Sequence, residues 1–374
     1  MLENKEDVKK CLLNVVDLNK LLKYDENVII SLLNEIGEFT DAALKKAAKN
    51  GYAQVVEMLL KDNRVNPAAD DNFAIKWAAE NGHDKVVEML LKDKRVDPTA
   101  DGNYAIRWAA RNGHVKVVEL LIKDKRVDPT AEDNYAIGLA AENGHAEVVE
   151  MLLKDERVNP AANDNYAIEF AAENGYAKVV ELLLKDKRVN PAACGNYAIR
   201  LAVEKGRTEV VELLLKDGRV NPTACDNYAI RWAARKGREK VVEMLLKDKR
   251  VNPTACDNYA IRWAAKSGHA KVVEMLLKDK RVNPAADDNS AIRIAAENGH
   301  AEVVEVLLKD ERVNPAACDN SAIRYAAENG HAKVVELLLK DKRVDPIIHY
   351  NYLMRWAARN EYTKVVKMLE EAIE

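Results

Sequence analysis

Apolar positions along this 374-residue chain fall in two short clusters that recur at a fixed interval. In residues 225–255, Ala229, Ile230, Ala233 and Ala234 share one helical face, and Val241, Val242, Met244, Leu245 and Leu246 share a second. The first cluster predicts a short helix over 228–235, with Asn227 as its N-cap and Gly237 in the left-handed position that ends it. The second predicts a helix over 239–247 whose Val and Leu positions point inward and whose Glu243 and Lys247 pair one turn apart on the solvent side. Pro253 has no backbone N–H to give, so RVNPTACD is a loop or turn.

This unit is copied along the chain. Asn72, Asn103, Asn134, Asn165, Asn196, Asn227, Asn258, Asn289, Asn320 and Asn351 stand 31 residues apart, and Asp41 extends the series back one step, giving eleven units from residue 41 onward. Two helices of about eight and ten residues cannot bury their apolar faces alone, so neighbouring units must stack. The expected fold is an all-α solenoid of helix-turn-helix units joined by short finger loops. Residues 1–40 lack the motif but carry helical stripes (Val8, Leu12, Val15 and Val16, then Val28, Ile29, Leu32, Leu33 and Ile36), which predict an N-terminal cap. Ten repeats then fill 41–350, and 351–374 reads as a C-terminal capping repeat, with Glu361 in place of the turn glycine and a polar KMLEEAIE finish.

The order of parts resembles the ankyrin repeat: a short helix, a turn written Asn-Gly-His as in AAENGHAEVVEVLL, a Val-Val and Leu-Leu helix, and an extended finger, as in YAIRWAAKSGHAKVVEMLLKDKRVNPAA. The resemblance covers 41–374 and departs from the family in two places. Tyr-Ala-Ile-Arg stands where the family has Thr-Pro-Leu-His, and the unit is 31 residues long, against a family length of about 33, which implies a shorter finger. With the Thr to His hydrogen-bond ladder absent, the Tyr and Arg positions are expected to replace it. This short variant is similar to arrays of amoeba-infecting giant viruses and intracellular bacteria. The resemblance implies a non-catalytic protein-interaction scaffold, acting on a host protein in the host cytosol if the source is of that kind.

Charge adds little globally and much locally. Lysine plus arginine total 58 against 61 aspartate plus glutamate, a net −3 that gives no overall pull toward nucleic acid or anionic membrane. Apolar runs reach only about five residues where a bilayer span needs about twenty, and the first seven residues have no signal-peptide core, so a monomeric cytoplasmic protein without membrane insertion is expected. Five cysteines with no C-x-x-C pair suit free thiols in a reducing compartment.

Comparison among the repeats sorts the remaining candidates, because a residue identical in every unit meets the same neighbour each time. Asp-x-Arg before the loop, as at Asp93 and Arg95 or Asp248 and Arg250, recurs in ten loops and reads as a loop clamp. His83, His114, His145, His269, His300 and His331 follow the turn glycine and read as turn-stabilising, since stacked units hold them about 10 Å apart, too far to share a metal. The same spacing keeps Cys194, Cys225, Cys256 and Cys318 from forming disulfides. Trp77, Trp108, Trp232, Trp263 and Trp356 share one helix position with Leu139, Phe170, Leu201, Ile294 and Tyr325; a contact stripe and a half-buried packing row are both open there, while the preceding Tyr row reads as structural. No phosphate loop, zinc-protease helix or nucleophile elbow occurs, so no catalytic residue, metal or cofactor is expected.

What varies is the face and turn of the first helix. It is basic at Lys45, Lys49, Lys76, Arg107 and Arg111, then neutral to acidic at Gly138, Glu142, Glu169 and Glu173. It turns basic again through Arg200, Lys205, Arg207, Arg231, Arg235, Lys236, Arg238, Arg262 and Lys266, after which Arg293 with Glu297 and Arg324 with Glu328 are expected to pair along the helix. Uncompensated arginines on successive units would form a patch for carboxylates or phosphates. The expected site is this patch with Trp232 and Trp263 as apolar anchors, binding an acidic segment of a protein partner on the concave face. Nucleic acid or an anionic lipid through the same patch is the rival, disfavoured by the net charge and distinguished by a steep salt dependence. A purely structural or adaptor subunit is a third reading.

Overall fold

The computed structural model describes residues 40–345 and 350–372. Among them are twenty-two helices and no strand. In chain order these are α1 (Asp41–Asn50), α2 (Ala53–Leu60), α3 (Ala69–Glu80), α4 (Asp84–Lys92), α5 (Ala100–Arg111), α6 (Val115–Lys123), α7 (Ala131–Glu142), α8 (Ala146–Leu153), α9 (Ala162–Asn174), α10 (Ala177–Lys185) and α11 (Ala193–Lys205). They continue as α12 (Thr208–Lys216), α13 (Ala224–Arg235), α14 (Glu239–Lys247), α15 (Ala255–Lys266), α16 (Ala270–Lys278), α17 (Ala286–Glu297), α18 (Ala301–Leu308), α19 (Ala317–Glu328), α20 (Ala332–Leu339), α21 (Tyr350–Arg359) and α22 (Thr363–Glu371). Odd-numbered helices are the first, inner helix of each repeat and even-numbered ones the second, outer helix. The chain divides into two compact modules, Met1–Asn190 and Pro191–Glu374. The N-terminal cap expected from the sequence lies outside the described residues except for Thr40, whose side chain accepts a hydrogen bond from the Ala43 N–H at the start of α1.

The repeat core is the predicted one. Ala229, Ile230, Ala233 and Ala234 of α13 and Val241, Val242 and Leu245 of α14 are buried. Three alanines and one isoleucine on α13 let the neighbouring inner helices approach closely, while the larger Val and Leu of α14 fill the layer behind; truncating such a buried leucine costs about 2–5 kcal/mol. Met244 and Leu246, expected to point inward, are only half-buried. Gly237 has φ 66°, as the turn requires, and Lys247 Nζ lies 2.6 Å from Glu243 Oε1. In the last repeat Glu361 occupies the turn position with φ 60°.

The entry to each inner helix differs from the expectation. Asn227 is no N-cap: Cys225, Asp226 and Asn227 have φ of 52°, 56° and 58° and form one left-handed turn ahead of the right-handed helix. The same three positions are left-handed in every repeat from Asp70-Asp71-Asn72 to Cys318-Asp319-Asn320. An ordinary L residue pays about 1–2 kcal/mol in this region, and Asn, Asp and Gly pay least, which accounts for the second and third positions of the triplet, always Asp or Gly and then Asn, but not for the Cys or Glu132 found at the first. The asparagine side chain is used elsewhere: its Oδ1 accepts the N–H of the residue 25 positions on, in the next finger, at 2.6–3.2 Å from Asn72 to Asn320. Asp41 makes the same bond to Asn66 N at 2.6 Å.

Two further ladders join successive repeats. The arginine of Asp-x-Arg clamps its own loop through the aspartate and also reaches back, its Nη1 donating to the valine carbonyl 30 residues earlier at 2.7–3.2 Å, as from Arg95 to Val65 and from Arg250 to Val220. Each of the six turn histidines packs on the turn glycine of the preceding repeat and places Nε2 2.8–3.1 Å from a carbonyl there. Asn, loop Arg and His therefore carry the recurring ladder, while the Tyr and inner Arg positions, expected to supply it, join repeats at particular places, as from Tyr104 to Glu80, Tyr166 to Glu142 and Arg262 to Asp287. Each bond is worth about 0.5–1.5 kcal/mol net.

Candidate functional site

All eleven residues expected at the patch lie in the second module, on α11, α13 and α15 and the turns that follow α11 and α13. Arg200, Arg231 and Arg262 occupy equivalent, half-buried positions, and the structure gives each a different partner. The Arg200 guanidinium lies 5.0 Å from the Tyr197 ring and 5.5 Å from the Tyr228 ring, with Nη1 3.2 Å from Cys225 Sγ. Arg231 turns back on its own repeat, donating from Nε to the Asp226 carbonyl at 2.8 Å and from Nη2 to the Cys225 carbonyl at 2.9 Å. It thereby closes the exposed carbonyls of the left-handed turn. Arg262 Nη1 meets Asp287 Oδ2 at 2.5 Å. The expectation of an uncompensated arginine row thus needs correction at Arg262, whose charge is answered by the next repeat. Arg293 is also corrected: its guanidinium bonds the Asp288 and Asp287 carbonyls at 2.9 and 3.0 Å, and among the described residues it makes no pair with Glu297.

The second rank of cations is arranged on the tryptophans. Trp232 and Trp263 are half-buried, each beside the tyrosine one turn earlier, with ring centroids 5.6 Å apart for Tyr228 and Trp232 and 5.1 Å for Tyr259 and Trp263. Arg235 lies between the two indoles, 5.0 Å from Trp232 and 4.5 Å from Trp263. Lys236 stands 5.1 Å from Trp232 and Lys266 4.5 Å from Trp263. A cation so placed gains about 0.5–1 kcal/mol from the ring and keeps its outer face in water. The Trp232 Nε1–H is buried without an acceptor. In contrast, Trp356 Nε1 donates to the Glu328 carbonyl at 3.0 Å.

The turn residues divide by role. Arg238 lies over Gly206, where six other repeats put histidine, so its guanidinium packs the turn while remaining exposed. Lys205 and Arg207 are exposed at the end of α11 and the start of α12. Cys194, Cys225, Cys256 and Cys318 are exposed, form no disulfide, and sit at the first left-handed position rather than in the finger proper.

The first module carries a related arrangement. Lys49 stands 4.1 Å from Trp77 and Arg111 4.4 Å from Trp108, while Lys45 pairs with Asp70 and Lys76 with Asp71 and Asp101. Tyr104 and Tyr166 donate their hydroxyls to Glu80 and Glu142 of the preceding repeat at 2.6 and 2.8 Å; burial, and then these carboxylates, push both phenols well above the ordinary range. Sequence reasoning missed the rule behind Lys45–Asp70, Lys76–Asp101 and Arg262–Asp287, although all three are 25 residues apart. Reading each inner cation against the residue 25 further on would have found it. Among the described residues, no helix is long and apolar enough to cross a membrane.

Comparison with protein families gives one answer along the sequence. The model for ankyrin repeats in three copies matches residues 11–101, 93–164, 168–257 and 248–319, and that for a single ankyrin repeat matches 318–351. A search of curated proteins found no match. With helix pairs, left-handed glycine turns and cross-repeat histidine bonds already evident in the structure, these matches establish that the chain belongs to the ankyrin repeat family.

Proposed function

We propose that this protein is a non-catalytic scaffold whose second module binds an acidic segment of a protein partner along its inner-helix face. Ankyrin repeats are in general protein-interaction modules and typically lack catalysis. The observation that carries the finer reading is Arg235 held between Trp232 and Trp263, with Lys236 and Lys266 on the same two rings. Such a row offers a carboxylate a charge that is already oriented, and offers an apolar side chain the exposed part of an indole. Arg200, Lys205 and Arg207 extend the positive field, while Arg231, Arg238 and Arg262 serve it less directly because the turns and Asp287 engage them. In this reading residues 1–40 and 351–374 cap the array.

The test is quantitative capture from a lysate of the source cells, with wild type beside the triple variant Arg235→Glu, Lys236→Glu and Lys266→Glu. These three residues are chosen because they leave the turn clamps intact. A protein partner bearing an acidic segment should be depleted by tenfold or so in the variant, the size of a few disrupted charge contacts. An unchanged set of captured proteins overturns the proposal. Capture of nucleic acid with a steep loss between low and high salt would favour the rival reading instead.

A further inference from the structure

Two repeats of the first module, at Gly138 and Glu169, lack the cation that Lys45, Lys76 and Arg107 supply, and at Gly138 no side chain replaces it. In α3, Lys76 projects into a slot where Nζ lies 3.1 Å from Asp71 Oδ2, 3.5 Å from Asp101 Oδ2 and 5.7 Å from the Tyr104 ring. Its side chain is only 13% exposed there. Two repeats later the equivalent of Lys76 is Gly138, and the equivalents of its three partners are Asp133, Asn163 and Tyr166. These residues, with Tyr135, line a narrow cleft at Gly138. Tyr135 and Tyr166 wall it with ring centroids 6.5 Å apart and planes tilted by 58°. The Asp133 carboxylate is exposed and has no ion-pair partner among the described residues. At the far end of the Tyr166 ring, Glu142 accepts the hydroxyl proton and adds negative charge to a face that already favours cations.

We propose that this cleft is a cation slot filled by the ammonium head of a lysine side chain on the protein partner. The chain itself supplies the template, since Lys76 shows what a closely related constellation, with Asp101 where Asn163 stands here, accepts when the side chain is present. The Tyr166 ring edge reaches to within 3.0 Å of where a Cβ on Gly138 would lie, so the ring and Asn163 define how deep the incoming head can go. The slot draws on the protein-scaffold reading only for the source of its ligand. It lies on a different module from the basic row, and a small probe can test it without a partner.

The experiment is a titration of the full chain, labelled with fluorotyrosine, by n-butylammonium chloride at fixed ionic strength, following the Tyr135 and Tyr166 fluorine signals, with n-butanol and sodium chloride as controls. Butylammonium should shift both signals saturably and the controls should not. Asp133→Asn should weaken the apparent affinity about fivefold, the scale of one exposed carboxylate contact. Gly138→Lys should abolish the response by supplying the cation internally. Equal shifts with butanol, no shift in wild type, or an unchanged response in the Asp133→Asn protein would overturn the assignment. The Asp133→Asn arm does not depend on whether the Gly138→Lys variant packs well.

Discussion

At the scale of single residues, the strongest repeated contact is the Asp-x-Arg clamp. The arginine beside each of the ten aspartates, from Asp62 to Asp341, holds its carboxyl below the usual range, first through the side-chain hydrogen bond. Asp62 is lowered to about 2. A carboxyl with a depressed folded-state pKa contributes stability that is fully present above its unfolded value of about 3.9 and is lost as pH falls through the folded value. The melting temperature should therefore change little from pH 7 to 5 and drop steeply between about pH 4 and 2, as followed by circular dichroism. A fall already complete above pH 5 would show that these carboxylates do not govern the acid limb. These clamps were legible in the sequence because they never vary. Their second bond, to the valine carbonyl of the preceding repeat, was not, because backbone acceptors leave no mark in a sequence.

At the scale of elements, the left-handed turn decides how each inner helix begins. The sequence placed Asn227 and its equivalents at the right boundary with the wrong geometry. Asparagine serves equally well as an N-cap and in the left-handed region, and only the finger N–H of the next repeat, 25 residues away, selects the second. Asn258 tests this directly, being 8% exposed with φ 54° and its Oδ1 2.8 Å from Asn283 N. Asn258→Ala loses both the bond and the backbone tolerance and should cost about 2–3 kcal/mol, whereas Asn258→Gly loses only the bond and should cost about 1 kcal/mol. Urea unfolding of the two variants measures the difference; equal losses would show that the turn stores no such preference. Helix positions, turn glycines and the Val and Leu core were readable in advance because they follow from a period of 3.6 and from glycine's freedom at positive φ.

At the scale of the whole molecule, a net charge of −3 conceals repeats of different sign. The second module presents cations on tryptophan faces; the first contains both a similar basic row and, at Gly138, a place where a cation is missing. The candidate patch was visible in the sequence as a departure from the repeat, since Arg235 and Lys236 replace residues that are Glu and Asn in most sister units. Which of its charges remain available was not visible, because Arg231 bonds backbone carbonyls and Arg262 meets an aspartate from another repeat. The central claim is that the partner lies against the inner helices of the second module, and site-specific photocrosslinking tests it most directly. Benzoylphenylalanine placed at Lys236 or Lys266, at the C-terminal ends of two inner helices, should crosslink the partner, while the same group at Lys247 or Lys278, on the outer helices, should not. Crosslinks from Lys247 and Lys278 without any from Lys236 and Lys266 would contradict the account.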